Sequence, residues 1–251
     1  MNCFRFASCL VAILTALVAG NAAQAGPVGE IDNFDTAGVS EYDFFKILDQ
    51  GPTTNVSFSD AGGNLSVLST GADGAEQVLF FRNDGVSLGV NEELQVDGPA
   101  TVNGANDLGL AIGATPTDLG DGSSGDTRSS ADFLFLSFRS STQLNSRGFV
   151  GGSEVGQVQA FGVNADTLFI ARLDNDNIEI GYYDGAARNV LRTETPASTD
   201  IFNNVGFYAD LRGDGNTASG LDNLRIVPEP ASFVLAGLAA LGLVAVRRRR
   251  A

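Results

Sequence analysis

The chain has 251 residues, with 15 Lys+Arg against 30 Asp+Glu, no His, no Trp and 2 Cys. Without histidine there is no Ser-His-Asp triad, no Cys-His pair and no His-ligated zinc. Residues 26–227 hold 10 basic and 29 acidic side chains, a net charge of −19; a body that acidic repels phosphate backbones, which excludes nucleic acid as a partner.

Residues 1–25 combine a positive start at Arg5, an apolar stretch over 6–19 and the small-residue site Ala23-Gln24-Ala25 before Gly26. That order is a secretory signal peptide, with Ala23, Ala25 and Gly26 marking the cut. Signal peptidase and the Sec machinery are the partners it implies. Cys3 and Cys9 leave with it, so the mature chain has no sulfur nucleophile and no disulfide.

The body that follows, 26–226, is expected to be one domain, since all-β units commonly reach this size. Residues 26–227 contain 28 glycines, about twice the usual frequency. Between the turns they make, short apolar or alternating runs predict strands over 42–48, 54–58, 64–68, 76–81, 108–112, 133–138, 158–163, 168–173, 178–183, 205–211 and 221–227. Residues 87–96 read equally well as strand and as turn. No segment carries a 3.6-residue apolar period beyond two turns, so the expected fold is an all-β antiparallel sandwich. In the run 133–138 both faces are apolar, as in a central strand covered on both sides. In 205–211 Val205, Phe207, Ala209 and Leu211 face one way, with Tyr208 and Asp210 on the other.

Four groups of residues are candidates for chemistry. Glu30-Ile31-Asp32-Asn33-Phe34-Asp35 resembles the E-x-D-x-x-E strand of jelly-roll glucanases, whose alternate carboxylates act in glycoside hydrolysis, but its last acid is an Asp and it lies only five residues past the signal cleavage site, where solvated acids on a flexible N-terminus are expected instead. Asp174, Asp176, Asp210 and Asp214 sit in Asp/Asn/Gly loops with the oxygen ligands calcium prefers, although turn chemistry explains the same composition. Arg212-Gly213-Asp214 spells an adhesion tripeptide inside one of these turns, and is read as turn sequence. Tyr42, Tyr182, Tyr183 and Tyr208 are the amphipathic aromatics, able to stack on a sugar or to line the rim of the core. No Gly-rich phosphate loop precedes a helix, and no cofactor is expected.

At the far end Pro228 and Pro230 are expected to stop the last strand, because neither donates a ladder hydrogen bond, and to mark an exposed linker. Residues 231–246 carry no charge and as a helix span about 24 Å, slightly short of a hydrocarbon core of about 30 Å. Arg247, Arg248, Arg249 and Arg250 follow at once as a stop-transfer, positive-inside signal. The expected precursor is therefore anchored in the inner membrane with its body in the periplasm, and its mature form lies at the cell surface or outside it.

The order Pro228-Glu229-Pro230, short Gly/Ala/Leu helix, arginine cluster resembles the PEP-CTERM sorting signal of Gram-negative bacteria. That resemblance covers residues 227–251. It implies that an exosortase, a membrane-embedded cysteine transpeptidase or protease, recognises the segment and cuts near the tripeptide, and it carries an association with exopolysaccharide and biofilm. Separately, 204–227 with its Asp222-Asn223-Leu224-Arg225-Ile226 ending, and the opening Ile31-Asp32-Asn33-Phe34, resemble the paired last and first strands of concanavalin-like and laminin-G-type jelly rolls. Together these imply a noncatalytic surface or matrix protein that binds polysaccharide. The alternatives are a glycan-active hydrolase and a passive acidic spacer.

Overall fold

The computed structural model describes residues 29–34, 39–51, 55–60, 63–70, 75–103, 107–120, 122–213 and 215–229. The signal peptide with Ala23, Ala25 and Gly26, the acids Asp35 and Asp214, Pro230, the segment 231–246 and Arg247 to Arg250 lie outside them. No helix among the described residues is long and apolar enough to cross a membrane.

The described strands are β1 (Gly29–Asp32), β2 (Tyr42–Asp49), β3 (Asn55–Ser59), β4 (Leu65–Thr70), β5 (Ala75–Arg82), β6 (Glu92–Asp97), β7 (Thr101–Val102), β8 (Asp107–Gly113) and β9 (Gly125–Asp126). They continue as β10 (Phe133–Ser140), β11 (Gln143–Val150), β12 (Ser153–Phe161), β13 (Thr167–Arg172), β14 (Ile178–Asp184), β15 (Ala187–Glu194), β16 (Asn204–Arg212) and β17 (Thr217–Pro228). All pair antiparallel in two sheets. One has the order β15-β14-β13-β6-β17-β4-β3, with β1 and β7 also on β17; the other runs β12-β11-β10-β8-β16-β5-β2-β9. The protein is a jelly-roll-like β-sandwich.

Period-two alternation fills the space between the sheets. Leu134, Leu136 and Phe138 of β10, Leu108, Leu110 and Ile112 of β8, and Val205, Phe207, Ala209 and Leu211 of β16 meet Leu94, Val96, Leu168, Ile170, Leu224 and Ile226 from the opposite sheet. Each such side chain contributes about 1.5–3 kcal/mol by leaving water. The alternate residues Phe133, Phe135 and Tyr208 join Ile47, Leu79, Phe81 and Ala111 in a second apolar cluster on the outer face of the eight-stranded sheet. This is why the 133–138 run is apolar on both sides.

Residues 114–132 cover that second cluster. The segment leaves β8, places β9 beside β2 beyond β16 and β5, and returns to β10. With the interior filled, its path lies across the outer face. Leu119 and Thr127 donate backbone hydrogen bonds to the carbonyls of Lys46 and Ile47. On the way back the Arg128 guanidinium lies 5.2 Å above the Phe149 ring.

Three expectations change. The chain start is no flexible tail: β1 pairs with β17, Phe34 is buried, and Asp32 accepts hydrogen bonds from the Phe34 N–H and the Tyr42 hydroxyl. Strands β11 and β15 were hidden by their polar residues: β15 is exposed at every third position or so, whereas β11 buries Asn145 and Ser146 alongside Leu144. Finally, Pro228 ends the strand as expected, but the chain does not open at once into an exposed linker. Pro228 is the last residue of β17, opposite Glu92, and the Glu229 N–H continues the pairing by donating to the Asn91 carbonyl at 2.8 Å. A proline removes one donor only, and at a terminal position the strand tolerates that loss.

Candidate functional site

The outer face of the eight-stranded sheet brings together the side chains with most chemical potential. Its register sets Asp210 of β16 directly opposite Asp107 of β8. Opposed residues of adjacent antiparallel strands stand about 4.5–5.5 Å apart at Cβ, so two carboxylates meet here. Both are buried, at 1% and 2% exposure. Arg139 donates to both Asp107 oxygens, at 3.2 and 3.3 Å, and the Asn145 amide adds a third bond at 3.2 Å. Arg212 likewise spans both Asp210 oxygens, at 3.2 and 3.0 Å, with the Gln77 amide at 3.1 Å.

Burial, which penalises a charge, pushes the Asp107 carboxyl up to about 6; Arg139 pulls it down and the neighbouring Asp210 raises it further. Beside the pair, Tyr208 stacks face to face on Phe135 with ring centroids 3.7 Å apart. These rings project from β16 and β10, across the intervening β8, whose residues facing them are Gly109 and Ala111. A Cβ at Gly109 would collide with the Leu136 carbonyl and the Ser137 backbone, so this approach of β8 to β10 requires glycine.

Toward β12 the face becomes open and polar. The Gln157 side-chain amide donates to Asn145 Oδ1 at 2.7 Å, and Asn145 in turn donates to Asp107. Gln159 stands opposite Asn145, and Phe161 opposite Gln143. By strand alternation Gln157, Gln159 and Phe161 share this outer face, while Ala160 packs on the core. Phe161 is 69% exposed. Gln157, through Asn145, and the quarter-exposed Arg139 join this polar edge to the buried carboxylates by hydrogen bonds, and the exposed Phe161 ring lies on the same face next to Gln143 and Gln159.

The predicted sites fall elsewhere or are occupied. The structure does not bring Asp174 and Asp210 together, since they belong to opposite sheets. Asp174 caps its own turn, accepting from the N–H groups of Asp176 and Asn177 and from the Asn177 amide, which hold its carboxyl below the usual range. Asp176 lies in that turn. No cluster of three or more potential metal ligands occurs among the described residues, so the geometry gathers no calcium ligands there. Tyr183 donates to Glu93 at 2.8 Å, Tyr42 to Asp32, and Tyr182 packs on the core. No tyrosine is free as a stacking platform. Phe161 was given no role from the sequence although it lies in the expected strand 158–163; the signal available was the alternation Gln157, Gln159, Phe161 against Val158 and Ala160.

Residues 227–250 match the PEP-CTERM protein-sorting motif. No curated protein matches the chain. Among solved structures, a β-1,3-1,4-glucanase (lichenase) derived from a mouse hindgut metagenome is similar over 78% of this chain and 97% of its own, at 12% identity and a TM-score of 0.45. The legume lectin-like domain from Entamoeba histolytica is similar over 75% and 90%, at 16% identity and a TM-score of 0.43. The exoplasmic/lumenal domain of VIP36, in a Ca2+-bound form, is similar over 80% and 95%, at 15% identity and a TM-score of 0.41. These likenesses concern strand layout alone; what the chain carries of a named family is the PEP-CTERM sorting motif at its C-terminus.

Proposed function

We propose that the protein is exported by its signal peptide, sorted by an exosortase through its C-terminal motif, and binds extracellular polysaccharide noncatalytically on the outer face of its eight-stranded sheet. The observation that carries this reading is Phe161, a large aromatic left exposed beside Gln143 and Gln159, on the face that also carries Gln157 and Arg139. A ring presents an apolar face to the C–H groups of a sugar, and amides and guanidinium satisfy its hydroxyls. The net charge of −19 over 26–227 favours a neutral or amino-bearing polymer over an anionic one.

The noncatalytic part is supported by the state of the paired acids. Glycoside hydrolysis needs one carboxyl free to give a proton and another free to attack or to activate water. Asp107 and Asp210 each spend both oxygens on an arginine. Glu30 and Asp32 lie on β1, away from that pair in the opposite sheet.

The test is retention of the surface form on β-glucan, cellulose and chitin beads, with released reducing ends measured in parallel. Binding to at least one polymer, weakened about tenfold or more by Phe161→Ala and by Gln157→Ala, with no reducing ends released, is the expected outcome. Binding unchanged in both variants overturns the site, and release of reducing ends that is lost in Asp107→Asn overturns the noncatalytic reading.

A further inference from the structure

The first two residues of the sorting tripeptide belong to the folded sandwich. β17 lies between β6 and β4, and its final residues are paired: Arg225 with Gln95 and Glu30, Ile226 with Leu94 and Gly29, Val227 with Glu93, Pro228 with Glu92. Ile226 is fully buried. Glu229 is held by its N–H on the Asn91 carbonyl, and Asn91 is itself fixed by donating to the Arg172 carbonyl at 2.8 Å. Pro228 and Glu229 are half-buried.

An enzyme that cuts a peptide bond takes the chain around that bond in extended form into its own cleft, so susceptible bonds lie where the backbone is unpaired and exposed. A cut at or before Pro228 would require the central strand of the nine-stranded sheet to open first, with loss of its pairing and of the Ile226 contacts. We propose that processing falls on the C-terminal side of Glu229, so that the mature protein keeps Pro228 and Glu229 as the end of β17. The tripeptide is then divided in role: its first two residues are a fold terminus, and recognition by the enzyme acts from Pro230 onward. This inference rests on the sorting reading above.

The step is acyl transfer. The carbonyl carbon before the scissile bond accepts a nucleophile, the C–N bond breaks, and the departing nitrogen takes a proton to become the N-terminus of the released membrane segment. With water as the final acceptor the body ends in a free carboxylate. With an amine-bearing acceptor it ends in a new amide, heavier by the acceptor less one water.

The deciding experiment is intact and top-down mass spectrometry of the surface form from cells with and without the exosortase. The expected result is a chain starting at Gly26 and ending at Glu229 or shortly beyond, seen only when the enzyme is present. An enzyme-dependent chain ending at Val227, Pro228 or earlier overturns the inference while leaving the sorting reading intact. A chain that keeps Arg247 to Arg250 in both strains overturns the sorting reading, and this inference with it.

Discussion

The two outer faces of the sandwich use the same residue types in opposite ways. On the nine-stranded sheet buried Glu93 is surrounded by donors: the Tyr183 hydroxyl at 2.8 Å, the Gln95 amide at 2.6 Å and the Arg188 guanidinium at 3.1 Å. Arg188 also reaches Glu179 and lies 4.1 Å above the Phe169 ring. Next to it Asp97 takes Arg225, Thr167 and Asn223. Each of these acids is ringed by an arginine and by amide or hydroxyl donors. On the eight-stranded sheet Asp107 stands opposite another acid, and two arginines from outside the pair compensate the charge. The first arrangement lowers the energy of a charged face, whereas the second leaves a carboxyl whose charge the fold opposes. The comparison separates a structural network from one that is electrostatically poised, and it is the poised one that runs by hydrogen bonds to Gln157 on the open edge that also carries Phe161.

The largest expected effect tests the structural side. Arg188→Ala leaves Glu93 buried without its cation and is expected to cost about 3–5 kcal/mol, read as a lowered midpoint in urea with the slope unchanged. A cost below about 1 kcal/mol would mean that Tyr183 and Gln95 alone satisfy Glu93.

The second tests the poised side through pH. The Asp107 carboxyl titrates at about 6 in the fold, against 3.8 as its ordinary value. A raised carboxyl contributes stability that is fully present below about pH 4 and lost as pH rises through 6, a difference of about 3 kcal/mol at roughly 1.4 kcal/mol per pH unit. Asp107→Asn is therefore expected to melt higher than the native protein at pH 8, with the gap closing near pH 4. A melting difference that does not change with pH would break the comparison.

Smaller effects should follow at the surface. Asp174→Ala removes the acceptor of an exposed turn and is expected to lower the melting temperature only slightly, with the same loss in calcium and in chelator. Phe161→Ser, at an exposed position, is expected to change stability by no more than about 0.5 kcal/mol. That near-neutrality sharpens any loss of polysaccharide binding into a statement about the patch. A large destabilisation would instead show that the ring packs on something.

The strands that bury both faces or alternate strictly were legible from the residues. Runs 133–138 and 205–211 predicted not only strands but which side chains face which way, because burial dictates period two. The pairing of first and last strands came from resemblance and holds in β1 and β17. Strands β11 and β15 were not legible, since runs rich in Arg, Asn, Ser and Gly look like loops; in β15 those residues meet solvent, and in β11 Asn145 and Ser146 are buried and satisfied by hydrogen bonds that only the fold supplies. The Asp107–Asp210 pair was invisible for a different reason. Asp210 was noticed as a loop acid and Asp107 not at all, because only the register of β8 on β16, set 103 residues apart in sequence, makes them neighbours.

The position of β17 also fixes an order of events in time. It is the last of the described strands, yet it sits between β6 and β4 and joins the four strands from β15 to β6 with the pair β4 and β3. Until its residues are available the nine-stranded sheet remains two fragments with open edges, and the core opposite them is uncovered. Such non-local closure is slow compared with local structure. A chain exported from its N-terminus would therefore cross the membrane unfolded and complete its sandwich only after β17 had emerged.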